Sequence, residues 1–280
     1  NNPPALLHET FYSSRRLVPK QTRIVTTIHD MMPEIFPEIF GQIFSTEARR
    51  QCVERADHVI CVSENTKQDL IKILEIDPNK VTVVYHGPAF QIEDFGDLPA
   101  PPISAPYILY VGKRDACKNF DRLLKAYALS KYLPKDFKLI CFGGDALSDQ
   151  ELKLAHELGL AETPLVHLTG DDLLLASLYK GASIFVYPSL YEGFGMPLLE
   201  AMSLQCPVTC SNTSSLPEIA GSAAEYFNPY ELESIIEAIE KVVYSSARST
   251  DLVALGNERV KAFSWKICAE KTSEVYQSLL

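Results

Sequence analysis

The chain has 280 residues, 46% of them apolar and 22% charged, with 26 Lys+Arg against 36 Asp+Glu and a formal net charge of −10. That length suits one large domain or two small ones, and the composition excludes a disordered, collagenous or coiled-coil protein. So acidic a chain is a poor non-specific binder of nucleic acid, although a local basic cluster can still serve a small anionic ligand.

Strand-like runs alternate with longer helical patterns along the chain. The strand candidates are 23–28, 58–62, 81–85, 107–111, 138–142, 165–168, 183–187 and 207–211. They are short, rich in Val, Ile and aromatics, and apolar at consecutive positions, as strands buried on both faces of a parallel sheet are. Helical patterns fall at 45–56, 64–74, 119–132, 148–158, 171–180 and 197–204, and 264–279 reads as a final amphipathic helix. Ser63 or Glu64 begins the second of these and Gly159 stops the fourth. The alternation predicts an α/β protein with parallel sheets. The clearest seam is 91–106, which carries Pro99, Pro101, Pro102 and Pro106. It divides the chain into an N-terminal domain (1–95), a linker (96–106), a C-terminal domain (107–262) and a last helix (263–280).

Cysteines stand at 52, 61, 117, 141, 206, 210 and 268, mostly in apolar runs and with no C-x-x-C. They read as buried, reduced thiols of a cytoplasmic protein. No apolar run approaches the roughly 18–20 residues of a membrane span, and residues 1–16 lack the apolar centre of a signal peptide.

The most informative stretch is YPSLYEGFGMPLLEAMSLQCPV, residues 187–208. A strand ends at Tyr187, a loop with Gly193 and Gly195 follows, and Pro197 stands where the first helical residue is expected. A strand, a glycine loop and a helix N-terminus together expose backbone N–H groups to an anion. Glu192 lies in the loop and Glu200 is expected in the first helical turn, where the helix dipole alone would favour a carboxylate. A second constellation, YILYVGKRDACKNFDRLLKAY, holds Lys113, Arg114, Lys118, Arg122 and Lys125 against Asp115 and Asp121. A third, TTIHDMMPEIFPEIF, places His29 and Asp30 directly after a buried strand, where parallel sheets put ligand groups. GFGMPL keeps only two glycines of G-x-G-x-x-G, and the loop at 112–119 lacks a phosphate-loop ending. The histidines show no metal-ligand spacing.

Seven residues separate Glu192 from Glu200, and EGFGMPLLEAM resembles the Glu-x7-Glu signature of retaining, nucleotide-sugar-dependent glycosyltransferases of family four. The resemblance implies the GT-B fold: two Rossmann-like domains across a cleft, with the last helix packing back on the first. It covers the whole C-terminal domain and only the latter part of the first. No opening strand and glycine loop is visible before residue 22, so the first domain is expected to be truncated at its N-terminus.

By the same resemblance, Glu192 would hold hydroxyls of the donor hexose and the amides of Phe194, Gly195 and Met196, with Gly193, would hold sugar and diphosphate. Glu200 would accept from the ribose hydroxyls, as an acceptor-only carboxylate can. Lys118 would meet the diphosphate. Cys117 stands where many relatives carry arginine, so Lys113 or Arg114 would supply the second cation. His29 would face the donor sugar. The donor would be a UDP- or GDP-sugar, UDP-glucose and GDP-mannose being the common ones. The acceptor would be a saccharide or lipid-linked, with no metal, no cofactor, no nucleic acid and at most peripheral contact with the inner face of the membrane. A non-catalytic nucleotide-sugar-binding module and a nucleotide-sugar epimerase are the alternatives.

Overall fold

A computed structural model describes residues 3–40, 46–160 and 165–280; the predicted helix start at Ser45 lies outside them. The chain forms two compact units, Asn1–Gly87 with Glu192–Phe194 and Phe263–Leu280, and Pro88–Tyr191 with Gly195–Ala262.

The first unit is built on a parallel sheet of β1 (Leu6–Glu9), β2 (Arg23–Ile28), β3 (His58–Cys61) and β4 (Val81–Val83), in that spatial order among the described residues. Consecutive apolar residues serve both faces of this sheet. Ile24, Ile28, Val59 and Val81 pack with Val53, Leu70 and Leu74 from the helices Thr46–Arg55 and Glu64–Leu74. Val25, Ile60 and Val84 face Val275 of the last helix, Trp265–Gln277. Burying each such side chain contributes about 1.5–3 kcal/mol. His8 fastens that helix to the sheet: its ring nitrogens lie 2.6 Å from the Tyr276 hydroxyl and 2.7 Å from Thr27 Oγ1.

β1 is a strand before residue 22 that the sequence reading leaves unmarked. It pairs in parallel with β2, Leu6 opposite Arg23 to Glu9 opposite Thr26. Its four residues, LLHE, alternate too briefly and end too polar to read as a buried strand.

The second unit has a parallel sheet of β5 (Tyr107–Val111), β6 (Lys138–Phe142), β7 (Leu165–Leu168), β8 (Ile184–Tyr187), β9 (Val208–Ser211) and β10 (Glu225–Phe227). The spatial order is β10-β9-β8-β5-β6-β7. Strand order therefore reverses between β5 and β8. One face buries Ile108, Tyr110, Ile184 and Val186 against Phe120, Leu123 and Tyr127, and against Ile235, Ile239 and Val242 of the helix Leu232–Val243. The Pro-rich stretch 91–106 belongs to this unit: Phe95 packs edge-on to Phe90, and Phe90 packs on Tyr179.

The helices Leu216–Ala220, Leu232–Val243 and Ser246–Arg259, and the three-residue β10, extend the sequence reading. The helix at 196 begins one residue earlier than Pro197 implies, at Met196, with no acidic residue in its first turn. Glu200 accordingly sits in the second turn. Among the described residues no helix is long and apolar enough to cross a membrane.

Candidate functional site

In doubly wound α/β sheets, ligands bind outside the carboxyl ends of the strands where the strand order reverses. In the second unit the two loops at that position are 112–119, after β5, and the segment leaving β8 at Pro188. These are the two stretches the sequence singles out, and they are tied together. Leu190 N–H donates to Cys117 O at 2.8 Å. Asn119, buried and left-handed at φ 59°, donates from Nδ2 to Pro188 O at 3.0 Å and to Pro229 O at 2.9 Å. Asp115 caps the turn Ala116–Lys118. These bonds hold the main chain at Lys118, whose Nζ lies 5.8 Å from the centre of the Tyr187 ring.

The two candidates for a second cation differ sharply. Arg114 Nε donates to Glu151 Oε1 at 2.6 Å, and its guanidinium also reaches the carbonyls of Gly143, Asp145 and Ala146. Burial would raise the Glu151 carboxyl, but hydrogen bonds from Ser148 and Arg114 outweigh it and hold the carboxyl below the usual range. Lys113 is exposed. Both, with Arg122 and Lys125, line an open groove of about 880 Å³ beside the 112–119 loop.

Glu200 is 7% exposed and accepts from the Tyr179 hydroxyl at 3.2 Å. Burial pushes its carboxyl up to about 7, the Tyr179 hydrogen bond opposes the shift, and Asp172 adds to it. Gly195, at φ 104°, occupies the left-handed position that starts the Glu200 helix. Met196 is exposed at the first helical residue.

The first unit holds the remaining predicted residues. His29 follows β2 and is exposed; its N–H donates to the Tyr12 hydroxyl at 3.2 Å. Asp30 orients its own loop, accepting from Met32 N–H at 2.9 Å. Residues 192–194 are seated by two hydroxyls: Ser63 Oγ donates to Gly193 O at 2.6 Å and Thr66 Oγ1 at 3.1 Å. Ser63 is also the N-cap of Glu64–Leu74. Glu192 and Phe194 are buried. The His86 ring lies 5.3 Å from Phe194, 5.9 Å from His29 and 5.2 Å from Trp265. Burial, with a smaller contribution from His29, lowers its pKa to about 4, so it stays neutral.

His29, Glu192, Gly193 and Phe194 thus belong to one unit, and Lys113, Arg114, Lys118, Gly195, Met196 and Glu200 to the other. Sequence reasoning passed over Tyr12, Asn119, Tyr179 and the Ser63–Thr66 pair. The last pair carried a signal, a helix-capping serine, which pointed to a helix start and nothing more. Among the described residues no group of three or more His, Cys, Asp or Glu is placed to hold a metal ion.

Two parallel α/β units, the second with its basic loop and the Glu200 helix at the switch point, have the make-up of the GT-B fold. The profile described as "Glycosyl transferases group 1" matches residues 99–258, and that described as "Glycosyltransferase Family 4" matches residues 3–88. The O-antigen chain mannosyltransferase B of Escherichia coli is 30% identical over 285 residues, covering 96% of this chain and 73% of that protein. The serotype-specific mannosyltransferase WbdA of Escherichia coli is 30% identical over 244 residues, covering 81% of this chain and 29% of that protein. Among solved structures, sucrose-phosphate synthase from Thermosynechococcus elongatus superposes with a TM-score of 0.76 at 21% identity, over 98% of this chain and 73% of that one. WaaG, a glycosyltransferase involved in lipopolysaccharide biosynthesis, gives 0.71 at 18% identity, over 90% of this chain and 77% of that one. The chain belongs to the glycosyl transferases group 1 family.

Proposed function

We propose that the protein transfers mannose from GDP-mannose to a saccharide or lipid-linked acceptor during assembly of a surface polysaccharide, with retention of configuration and without metal or cofactor. A UDP-hexose is the second donor to test. The mannosyltransferase relatives favour the sugar. The observation that carries the reading is the pairing, at the switch point of the second unit, of a basic loop with the segment that leads into the Glu200 helix. The work is proposed to take place in the cytoplasm.

The chemical problem is cleavage of an anomeric C–O bond. Negative charge grows on the departing diphosphate while positive charge grows on the sugar ring. Lys118, with exposed Lys113 rather than the engaged Arg114, would meet the first charge together with main-chain N–H groups at the start of the Met196–Ser203 helix. Groups fixed in advance where charge develops stabilise a transition state most. Glu192 would hold the hexose hydroxyls, His29 would face the sugar, and Glu200 would accept from the ribose. A departing phosphate oxygen can take the acceptor proton on the same face, which retains configuration and requires no dedicated base.

Calorimetric titration with GDP and UDP tests this reading on wild type and on Glu200→Ala. Binding of GDP, weakened at least about tenfold (about 1.4 kcal/mol) by the substitution, is the expected result. Binding of neither nucleotide would remove the proposal.

A further inference from the structure

β1 and β2 are parallel neighbours, with Glu9 opposite Thr26, so the residues following each leave the same edge of the sheet. Beyond β2 that edge carries His29; beyond β1 it carries Phe11 and Tyr12. Phe11 is 75% exposed. It is not a loose side chain on an unfixed loop. Its ring stacks on Tyr12 with centroids 5.8 Å apart and planes 22° apart. Tyr12 is fixed in turn: its hydroxyl accepts the His29 N–H, and the guanidinium carbon of buried Arg49 lies 4.6 Å from its ring centre. One exposed aromatic face is therefore built onto the backbone of the residue proposed to face the donor sugar.

We infer that Phe11 is an acceptor subsite, the platform on which a pyranose ring of the acceptor stacks beside His29. This rests on the proposed function. The reasoning is chemical. A pyranose presents a face of C–H groups and a rim of hydroxyls, so it suits a flat apolar surface with polar groups at its edge. Ligand sites combine these two features. Here Phe11 supplies the surface, while His29 supplies a polar edge. Because Tyr12 holds the platform in place, little order is lost when the acceptor binds.

The test uses the full-length protein with GDP-mannose as donor and octyl α-mannopyranoside as acceptor, on wild type and on Phe11→Ala, Phe11→Leu and Phe11→Trp. Leucine keeps apolar bulk but has no flat face, and tryptophan keeps the face. Phe11→Ala and Phe11→Leu are expected to raise the acceptor KM about tenfold while Phe11→Trp stays within about threefold. Donor hydrolysis without acceptor should change less than about twofold in all three. Leucine performing like phenylalanine would overturn the subsite, as would an unchanged acceptor KM in all variants. The same holds for wild type that binds nucleotide yet transfers nothing to the glycoside. Loss of binding to phosphatidylglycerol vesicles with acceptor KM unchanged would assign the ring to a lipid surface instead, and also overturn it. Wild type binding neither GDP nor UDP would overturn the proposed function, a result separable from all of these.

Discussion

A Cβ atom at Gly193 would lie 1.8 Å from the carbonyl oxygen of His29. No side chain fits there, so the glycine is required by the protein's own main chain. Sequence reasoning assigns the 193–195 glycines to ligand approach, and for Gly193 the close neighbour is His29 itself. The loop carrying Glu192 and the loop carrying His29 are thus in backbone contact, and a change at either moves the other.

Gly193→Ala should therefore displace both groups proposed to hold the donor sugar. The expected outcome is a loss of turnover of about 10² or more, since misplacement by about 1 Å at a reacting centre costs that much. Nucleotide affinity should change little, because Glu200 and Lys118 belong to the other unit. Paired turnover and calorimetry measurements check this; equal losses in both would count against it.

Thr66→Val is the milder disturbance of the same contact. It removes one of two hydroxyls that donate to Gly193 O and keeps shape, leaving Ser63 in place. Losing one hydrogen bond of this kind costs about 1 kcal/mol. If the contact positions Glu192, kcat should fall about fivefold with donor KM nearly unchanged. A fall in thermal stability without any change in kcat would make the bond merely structural.

Glu200 links stability to pH. Its carboxyl titrates near 7 in the folded protein, above the usual 4.5, chiefly because it is buried. The native state thus holds a proton that the unfolded chain has released. The stability it contributes is complete below about pH 4.5 and is lost as the pH rises through about 7, on the order of 3 kcal/mol in all. Glu200→Gln, neutral throughout, should flatten this slope and be more stable than wild type at pH 8. It should also bind nucleotide at least about tenfold more weakly there, because the proposed ribose contact needs the ionised acceptor. Urea melts and calorimetry at pH 5 and 8 decide both points. A Gln variant with the wild-type slope would mean that Glu200 is not the titrating group.

The larger framework was legible because buried parallel strands such as YILYV and KLICF are apolar at consecutive positions, and both faces of these sheets are covered. β1 and β10 escaped because LLHE and EYF are too short to show a period. The helix Leu232–Val243 was legible in principle, with Ile235, Ala238, Ile239 and Val242 on one buried stripe. At the candidate site, residues set by local chain geometry could be read: the glycine loop, the basic loop, and a histidine after a strand. Partners distant in sequence could not. Tyr12 meets His29 across 17 residues, Tyr179 meets Glu200 across 21, and Ser63 meets Gly193 across 130. Arg114 shows the same limit, for nothing in VGKRDACKN announces Glu151.

That engagement separates Arg114 from Lys118 by experiment. Arg114 and Glu151 are nearly buried, their side chains 5% and 12% exposed. Removing Arg114 leaves Glu151 without its charged partner on the wall of the groove, at a cost of about 1–3 kcal/mol. Arg114→Ala should therefore lower the melting temperature, with weakened nucleotide binding only as a consequence of that instability. Lys118→Ala should leave the melting temperature nearly unchanged and lower turnover by about 10²–10³, the usual effect of removing one group that stabilises transition-state charge. Lys113→Ala should resemble Lys118→Ala in kind, because exposed Lys113 has its charge available to a ligand. Melting curves and kcat on the three variants distinguish the assignments. An Arg114→Ala protein of normal stability that had lost nucleotide binding would reverse them, making Arg114 the diphosphate cation and Lys113 the bystander.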